Sequence, residues 1–467
     1  MKSRNNIIEK VPIDDFAAEA RCIGKIDGQV VFVEYAAPGD VADIRITRKK
    51  KNFLEASPVK FHQYSEFRQD PVCEHFGTCG GCRWQHVKYE YQLAFKFKQV
   101  KEQFERIGKL SGFELLPIIG SEKTEFYRNK LEFTFSNQRW LTAEEISSGE
   151  MLDRNGLGFH KPGSFDKVLD IDKCYLQADP SNEIRNALKS FTASGKYPYY
   201  DLRNHTGFLR NLIIRSSNTG GCMVILQVKN EDLNHIKKIL DFIIDRVPSV
   251  TSLYYIVNPK LNESYQDLEA VHYYGDRYLL EEMEDLRFII GPKSFLQTNS
   301  SQAYRLYSLI RELASIKNQE VVYDLYTGTG TIAHFIASKA KKVIGIEYVA
   351  EAVADAKLNA EYNRITNVEF IAGDIRDVLG GEFTAFHGKP DVVITDPPRA
   401  GMHQDVVRNI MENRPDRIVY VSCNPATQAR DIDLMRDQYR LVKVQPVDMF
   451  PHTHHIENIA LLKVIET

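Results

Sequence analysis

The chain has 467 residues, 43% of them hydrophobic and 26% charged, with a formal net charge of −3. That length suits roughly two to four domains, and the near-neutral balance excludes a nucleic-acid partner held by bulk charge alone. No apolar run approaches the roughly 18–20 residues that span a bilayer, and Met1-Lys2-Ser3-Arg4-Asn5-Asn6 leads into no apolar signal segment, which predicts a cytoplasmic protein with no membrane partner.

Residues 1–60 read as a small all-β unit. Apolar or alternating runs at 23–26, 30–33 and 41–46 are separated by the turn signals Asp27-Gly28 and Pro38-Gly39-Asp40. Five short strands in that length predict an OB-like barrel, a common oligonucleotide-binding scaffold. The basic run Arg45, Arg48, Lys49, Lys50 and Lys51 is a solvated loop if it stands alone. It becomes a phosphate contact if other features point to RNA.

Residues 61–290 are expected to form a mixed central unit. Seven cysteines without a signal segment argue against a disulfide framework. Cys73, Cys79 and Cys82 lie in one short loop, and soft thiolates select zinc or iron–sulfur. Three local ligands need a fourth. Cys174 is the candidate for a cluster, and His75 or His86 would complete a zinc site instead. After the loop, Leu93, Phe97, Val100, Phe104 and Ile107 recur at helical spacing, ending at Gly108. Strand patterns follow at 131–135, 212–215 and 222–228, with a helix over 230–245.

Residues 291–467 alternate strand and helix. Strands are expected at 321–325, 342–346, 368–371, 392–395 and 418–421, and helices at 301–313, 348–363 and 404–411. That alternation predicts a doubly wound, Rossmann-like parallel sheet. Its ligand should sit at the carboxyl ends of the strands.

The first of these strands runs into Asp324-Leu325-Tyr326-Thr327-Gly328-Thr329-Gly330-Thr331, where glycines allow close backbone approach to a ligand. The second ends at Glu347, placed to accept ribose hydroxyls. The third leads to Gly373-Asp374, and the fourth to Asp396-Pro397-Pro398-Arg399. A lone G-x-G is a weak dinucleotide signal. The four strand ends together favour S-adenosylmethionine.

The fifth strand ends in Ser422-Cys423-Asn424-Pro425. A cysteine after a strand is more often inert than nucleophilic. Beside a methyl donor, it suggests one reaction. Carbon-5 of uracil is a poor nucleophile until a thiolate adds to carbon-6. A base must then remove the carbon-5 proton. Cys423 supplies the thiol, and Glu457, in Phe450-Pro451-His452-Thr453-His454-His455-Ile456-Glu457, is the candidate base. The three histidines have no strong zinc spacing and are expected to form a packed turn.

These motifs resemble the RNA uracil-5-methyltransferase family over nearly the whole chain. The match is nearest to the 23S rRNA (uracil-C5)-methyltransferases. Residues 7–60 look like a TRAM domain. Cys73 to Gln85 looks like that branch's [4Fe–4S] signature. The resemblance implies a cluster held by Cys73, Cys79, Cys82 and Cys174. It also implies Cys423 as nucleophile and Glu457 as base, with Gln297, Tyr326, Gly328, Thr331, Glu347, Asp374 and Asp396 at the S-adenosylmethionine site. It further implies RNA contacts at Arg128-Asn129-Lys130 and Leu209-Arg210-Asn211. Thr327 departs from the cysteine found in many members. Relatives acting on tRNA generally lack the TRAM and cluster segments, so 23S rRNA is the expected partner and tRNA the alternative. A monomer is expected. A non-catalytic RNA-binding iron–sulfur protein is the competing class, and the presence of both Cys423 and Glu457 speaks against it.

Overall fold

The computed structural model describes residues 7–193 and 196–466. Three β-sheets and one hairpin account for most of its architecture.

The first sheet closes on itself. Ile7–Phe16, Arg21–Ile26, Gln29–Glu34, Phe53–Gln63 and Val41–Lys49 follow one another around a barrel, and the first strand pairs with the last. Alternation along the strands sends Val31, Val33, Ile44 and Ala42 inward. Asp27 and Gly28, both at positive φ, make the two-residue turn between the second and third strands. That conformation matches the right-handed twist of a hairpin.

The second sheet has seven strands in the order Val271–Gly275, Ser252–Val257, Cys222–Val228, Leu209–Ser216, Lys130–Ser136, Gly156–His160 and Val168–Asp170. Helices Ser181–Thr192 and Leu233–Arg246 cover one face. On the other face, Ile213, Ile225, Tyr254 and Ile256 share a core with helix Ser300–Ala314 and the third sheet. The two sheets are therefore joined through packed side chains.

The third sheet has eight strands: Val368–Ala372, Lys342–Glu347, Val321–Leu325, Val392–Thr395, Arg417–Ser422, Glu457–Val464, Tyr439–Val447 and Glu114–Leu115. The first five are parallel, and Glu457–Val464 is inserted antiparallel beside Arg417–Ser422. The strand order reverses direction between Val321–Leu325 and Val392–Thr395, where an α/β sheet opens a ligand crevice.

Two expectations need correction. Glu114–Leu115 pairs with Tyr439–Val447, and helix Tyr89–Arg106 packs onto the third sheet through Val100 and Phe104. The segment 89–115 therefore builds on the third sheet, and 61–290 is not a single structural unit. In the N-terminal half of that helix, the buried positions are Gln92 and Lys96, while Leu93 and Phe97 are only partly covered.

Candidate active site

The rim is assembled by strand register. Leu325 pairs with Thr395, and Thr395 with Tyr420, so Tyr326 and Asp396 emerge at one edge. Ser422 pairs with Asn458 in antiparallel register. One residue after Ser422 and one before Asn458, Cys423 and Glu457 stand opposite each other at that same edge. The loops are tied together. Asn424 caps helix Pro425–Asp433 and donates its side-chain N–H to the Arg399 carbonyl at 3.0 Å. Thr427 donates to the same oxygen at 3.3 Å. Met402 N–H and the Tyr420 hydroxyl both donate to buried Asp431, at 2.8 and 2.7 Å, which fixes the far end of the Pro-Pro loop.

The electrostatics follow from crowding acids in a partly dry cleft. Burial and the charge of Asp396 push the Glu457 carboxyl well up. Burial also raises Asp396, and it raises Asp324 beneath it to about 7. Cys423, half-buried, is pushed up to about 11, first by burial and then by Glu457 and Asp396; Arg399 opposes this. Three acids that resist ionising together leave room for a cation beside them. Tyr307, on helix Ser300–Ala314, is buried near Asp396, Glu457 and Asp324, and nothing in the local sequence pattern marks it.

The residues expected at the cofactor site stand at or after the ends of strands Val321–Leu325, Lys342–Glu347, Val368–Ala372 and Val392–Thr395, with Gln297 just before helix Ser300–Ala314. Tyr326, Gly328 and Gly330 all have positive φ. At Gly330 a side chain would collide with Phe370 and His334, whereas a Cβ at Gly328 would point into open space. That space leaves the backbone there open to close approach. Glu347 accepts from Gly328 N–H at 3.1 Å and from Val349 N–H at 2.9 Å, so it is held at the rim. Thr331 begins the following helix within reach of Thr329, 3.3 Å away. Gln297 is fixed by its own carbonyl, which accepts from Asn129 Nδ2 at 2.9 Å. Asp374 is more committed than expected: it caps the helix after it and pairs with Arg376, which holds its pKa near 2.

The cysteines converge. Cys73, Cys79, Cys82 and Cys174 line one cavity of about 180 Å³ together with His75, Gln85 and Arg128. His86 is turned away, its ring nitrogen bonded to the Ala36 carbonyl at 3.1 Å. Cys222 is buried elsewhere, in the core of the central sheet. Asn182 holds the Cys174 backbone through N–H and C=O at 2.8 and 3.2 Å. Among the described residues, no three of the four thiols have sulfur atoms within 4.8 Å of one another; the only such group of potential ligands is Glu74, His75 and Asp172 near the cavity mouth.

The histidine turn is packed, as expected. Burial lowers His452, His454 and His455 to about 4, so all three rings are neutral. His452 has φ 63°, a conformation that costs a non-glycine residue about 1–3 kcal/mol. Its carbonyl accepts from Arg83 and Trp84 N–H at 2.7 and 3.0 Å, and its own N–H donates to Gln92 Oε1 at 2.9 Å. Leaving such buried groups unpaired would cost about 1–3 kcal/mol each, so the bonded turn wins over relaxation.

The RNA contacts expected at 209–211 are corrected here. Arg210 is fully buried, with its guanidinium donating to the carbonyls of Asn258, Lys260 and Asn262 over the Tyr200 ring. Asn211 is buried too. Arg128 and Asn129 brace the cysteine cavity, Phe450 and Gln297.

An open α/β sheet of this order, with a glycine turn at its reversal and acids along its carboxyl edge, defines a Rossmann-like methyltransferase. Known proteins sharpen that class. The family model described as tRNA (Uracil-5-)-methyltransferase matches residues 274–465, and that of the TRAM domain matches 5–59. An uncharacterized RNA methyltransferase of Bacteroides thetaiotaomicron is 55% identical, covering 96% of this chain and 100% of its own. One from Chlorobaculum tepidum is 38% identical, over 100% and 98%. The solved tRNA (uracil-54, C5)-methyltransferase of Pyrococcus abyssi, in complex with S-adenosyl-L-homocysteine, superposes with a TM-score of 0.75 at 30% identity, over 97% of this chain and 100% of that one. The chain belongs to the S-adenosylmethionine-dependent RNA uracil-5-methyltransferase family. No helix among the described residues is long and apolar enough to cross a membrane.

Proposed function

We propose that this enzyme methylates carbon-5 of a uridine in 23S rRNA, with Cys423 as nucleophile and Glu457 as base. The observation that carries this reading is the antiparallel register that sets Cys423 opposite Glu457, at the edge where Asp396 and Tyr326 also emerge. Cys423 Sγ adds to carbon-6 and the ring electrons move to an enolate. Carbon-5 then takes the methyl group, whose bond to the donor sulfur breaks. Glu457 removes the carbon-5 proton, the Sγ–carbon-6 bond breaks, and the thiolate leaves as the double bond returns. Gln297, Tyr326, Gly328, Thr331, Glu347, Asp374 and Asp396 are the residues proposed to hold the methyl donor. The target base must be flipped out or lie in a loop to reach Cys423. A monomer suffices for these steps.

Transfer RNA is the second reading. The Pyrococcus protein, named for tRNA, is matched along its whole length, barrel included. The full-length architecture therefore does not separate the two RNAs. Labelled methyl transfer to unmodified 23S rRNA and, separately, to unmodified tRNA, with nucleoside analysis, decides it. 5-Methyluridine in rRNA supports the first reading; the same product in tRNA alone replaces it.

The four cavity cysteines are proposed to hold a [4Fe–4S] cluster. Zinc is the runner-up for such thiolates, but four cysteines lining one cavity are the ligand set of a cubane of four irons. Bound there, it would crosslink the 73–82 loop to residue 174. The proposed functional division is a barrel over 1–60, a cysteine-bearing centre over 61–290 and a methyltransferase unit from 291, with 89–115 lent to the last.

A further inference from the structure

The histidine turn that leads to Glu457 is held from one direction above all. Its left-handed residue, His452, is gripped at its carbonyl by Arg83 and Trp84 and at its N–H by Gln92 of helix Tyr89–Arg106. Gln92 is the centre of that grip. Its side chain is fully buried. Its Oε1 accepts the His452 N–H at 2.9 Å. Its Nε2 donates to the carbonyls of Val87 at 2.7 Å and Trp84 at 3.1 Å, and faces His452 Nδ1 at 3.2 Å. One carboxamide thus joins the loop that presents Arg83 and Trp84 to the turn those two residues hold. The neighbouring turn residues are bound as closely: Lys96 and Tyr89 reach Asp448 at 2.6 and 2.8 Å, and Tyr127 donates to the Pro451 carbonyl at 3.0 Å. Four residues lie between His452 and Glu457, Ile456 and Glu457 are themselves buried, and Glu457 opens its strand opposite Val447, so the turn and the sheet register together set where the carboxyl group stands.

We propose that Gln92 is a positioning residue for the proton-abstraction step: it fixes His452 in the left-handed conformation and thereby places Glu457 across from Cys423. The inference rests on the reading of Glu457 as the base. It separates two steps that a general loss of structure would not separate. Methyl transfer needs Cys423 and the methyl donor, both on other loops. Only the later removal of the carbon-5 proton needs Glu457 in register.

The test uses the full-length enzyme and an RNA transcript of the accepted type, carrying tritium at uridine carbon-5, with labelled methyl donor. In Gln92→Ala, methyl transfer to the RNA should stay within about threefold of wild type, tritium release should slow by about tenfold or more, and a methylated protein–RNA adduct stable to denaturation should accumulate. Gln92→Glu is the conservative variant. A buried, protonated carboxyl group can still accept from His452 and donate to one carbonyl, so tritium release should recover to within about threefold of wild type. Circular dichroism and S-adenosylhomocysteine binding report folding. If Gln92→Ala fails there, His452→Val decides. It disfavours positive φ without removing Gln92 and should give the same adduct. Methyl transfer and tritium release slowing together, or neither slowing, overturns the proposal. Glu457→Gln is measured alongside. No adduct from that variant would overturn the base assignment itself. Adduct from Glu457→Gln, with none from Gln92→Ala, overturns only the role of Gln92.

Discussion

Cys423 poses a chemical problem for the family's reaction, because its thiol sits at about 11 and is protonated at neutral pH in the ligand-free protein. The causes name the remedy. Burial comes first, then the negative fields of Glu457 and Asp396, while Arg399 and a backbone hydrogen bond pull the other way. A cation placed among these acids would favour the Cys423 thiolate and the ionised form of Glu457 at once. The sulfonium of the methyl donor carries such a charge; S-adenosylhomocysteine has nearly the same shape without it. Alkylation of Cys423, followed by peptide mass spectrometry as a function of pH, should therefore show a midpoint lower by roughly one unit or more with S-adenosylmethionine than with S-adenosylhomocysteine. Equal midpoints would place thiol activation elsewhere, on Arg399 or on the RNA. Asp324 and Asp396 give a second expectation. Their folded-state pKa values lie above those of an unfolded chain. Between about pH 4 and 7 the folded protein thus binds more protons than the unfolded one, and stability from these groups falls as pH rises. Asp396→Asn should raise the thermal midpoint at pH 7.5 while weakening binding of the methyl donor. A midpoint that drops would mean that the carboxylate is a structural anchor.

Helix Tyr89–Arg106 shows what happens when polar residues are buried for a reason no pattern announces. The apolar repeat of Leu93, Phe97, Val100 and Phe104 predicts the helix and its approximate end correctly. The orientation follows Val100 and Phe104 in the second half, while the first half turns Gln92 and Lys96 inward. Those two side chains find partners more than 350 residues away in the chain, at His452 and Asp448. Sequence spacing cannot foresee such partners, since a Lys or Gln on a helix is ordinarily solvated. Lys96 and Asp448 are both fully buried. Removing one partner strands the other charge, so Lys96→Met should destabilise by about 3–5 kcal/mol. Lys96→Met with Asp448→Asn removes both charges and should recover a large part of that loss. Thermal and urea unfolding of the single and double variants measure it; a double variant as unstable as the single would show that packing, not charge, is at stake. Strands were easier to read. The run 392–395 has the predicted bounds because three apolar residues and a β-branched threonine between Asp391 and Asp396 suit a buried parallel strand.

At the scale of the molecule, the motifs that carry chemistry come from three distant stretches, and the fold brings them together through the cysteine loop. Residues 73–82 face Cys174 on one side of the loop. On the other side, Arg83 and Trp84 hold the turn before Glu457. Convergence of Cys73, Cys79 and Cys82 with Cys174 was legible from thiolate chemistry and the family resemblance. The bond from this loop to the turn before Glu457 was not, because it is made by backbone N–H groups, which every residue has. If a cluster crosslinks the loop, it also braces the turn. Cys174→Ser should then lower bound iron and acid-labile sulfide, lower the thermal midpoint, and slow release of methylated RNA more than methyl transfer itself. Cys222→Ser, in the core of the central sheet, should leave the metal content unchanged. Iron and sulfide in equal amounts in the wild-type protein, purified without air, support the cubane; zinc without sulfide replaces it. Iron loss in Cys174→Ser with methyl transfer and RNA release both unaffected would show that the crosslink serves stability alone. The backbone bonds from Arg83, Trp84 and Gln92 would then be sufficient to hold His452 without it.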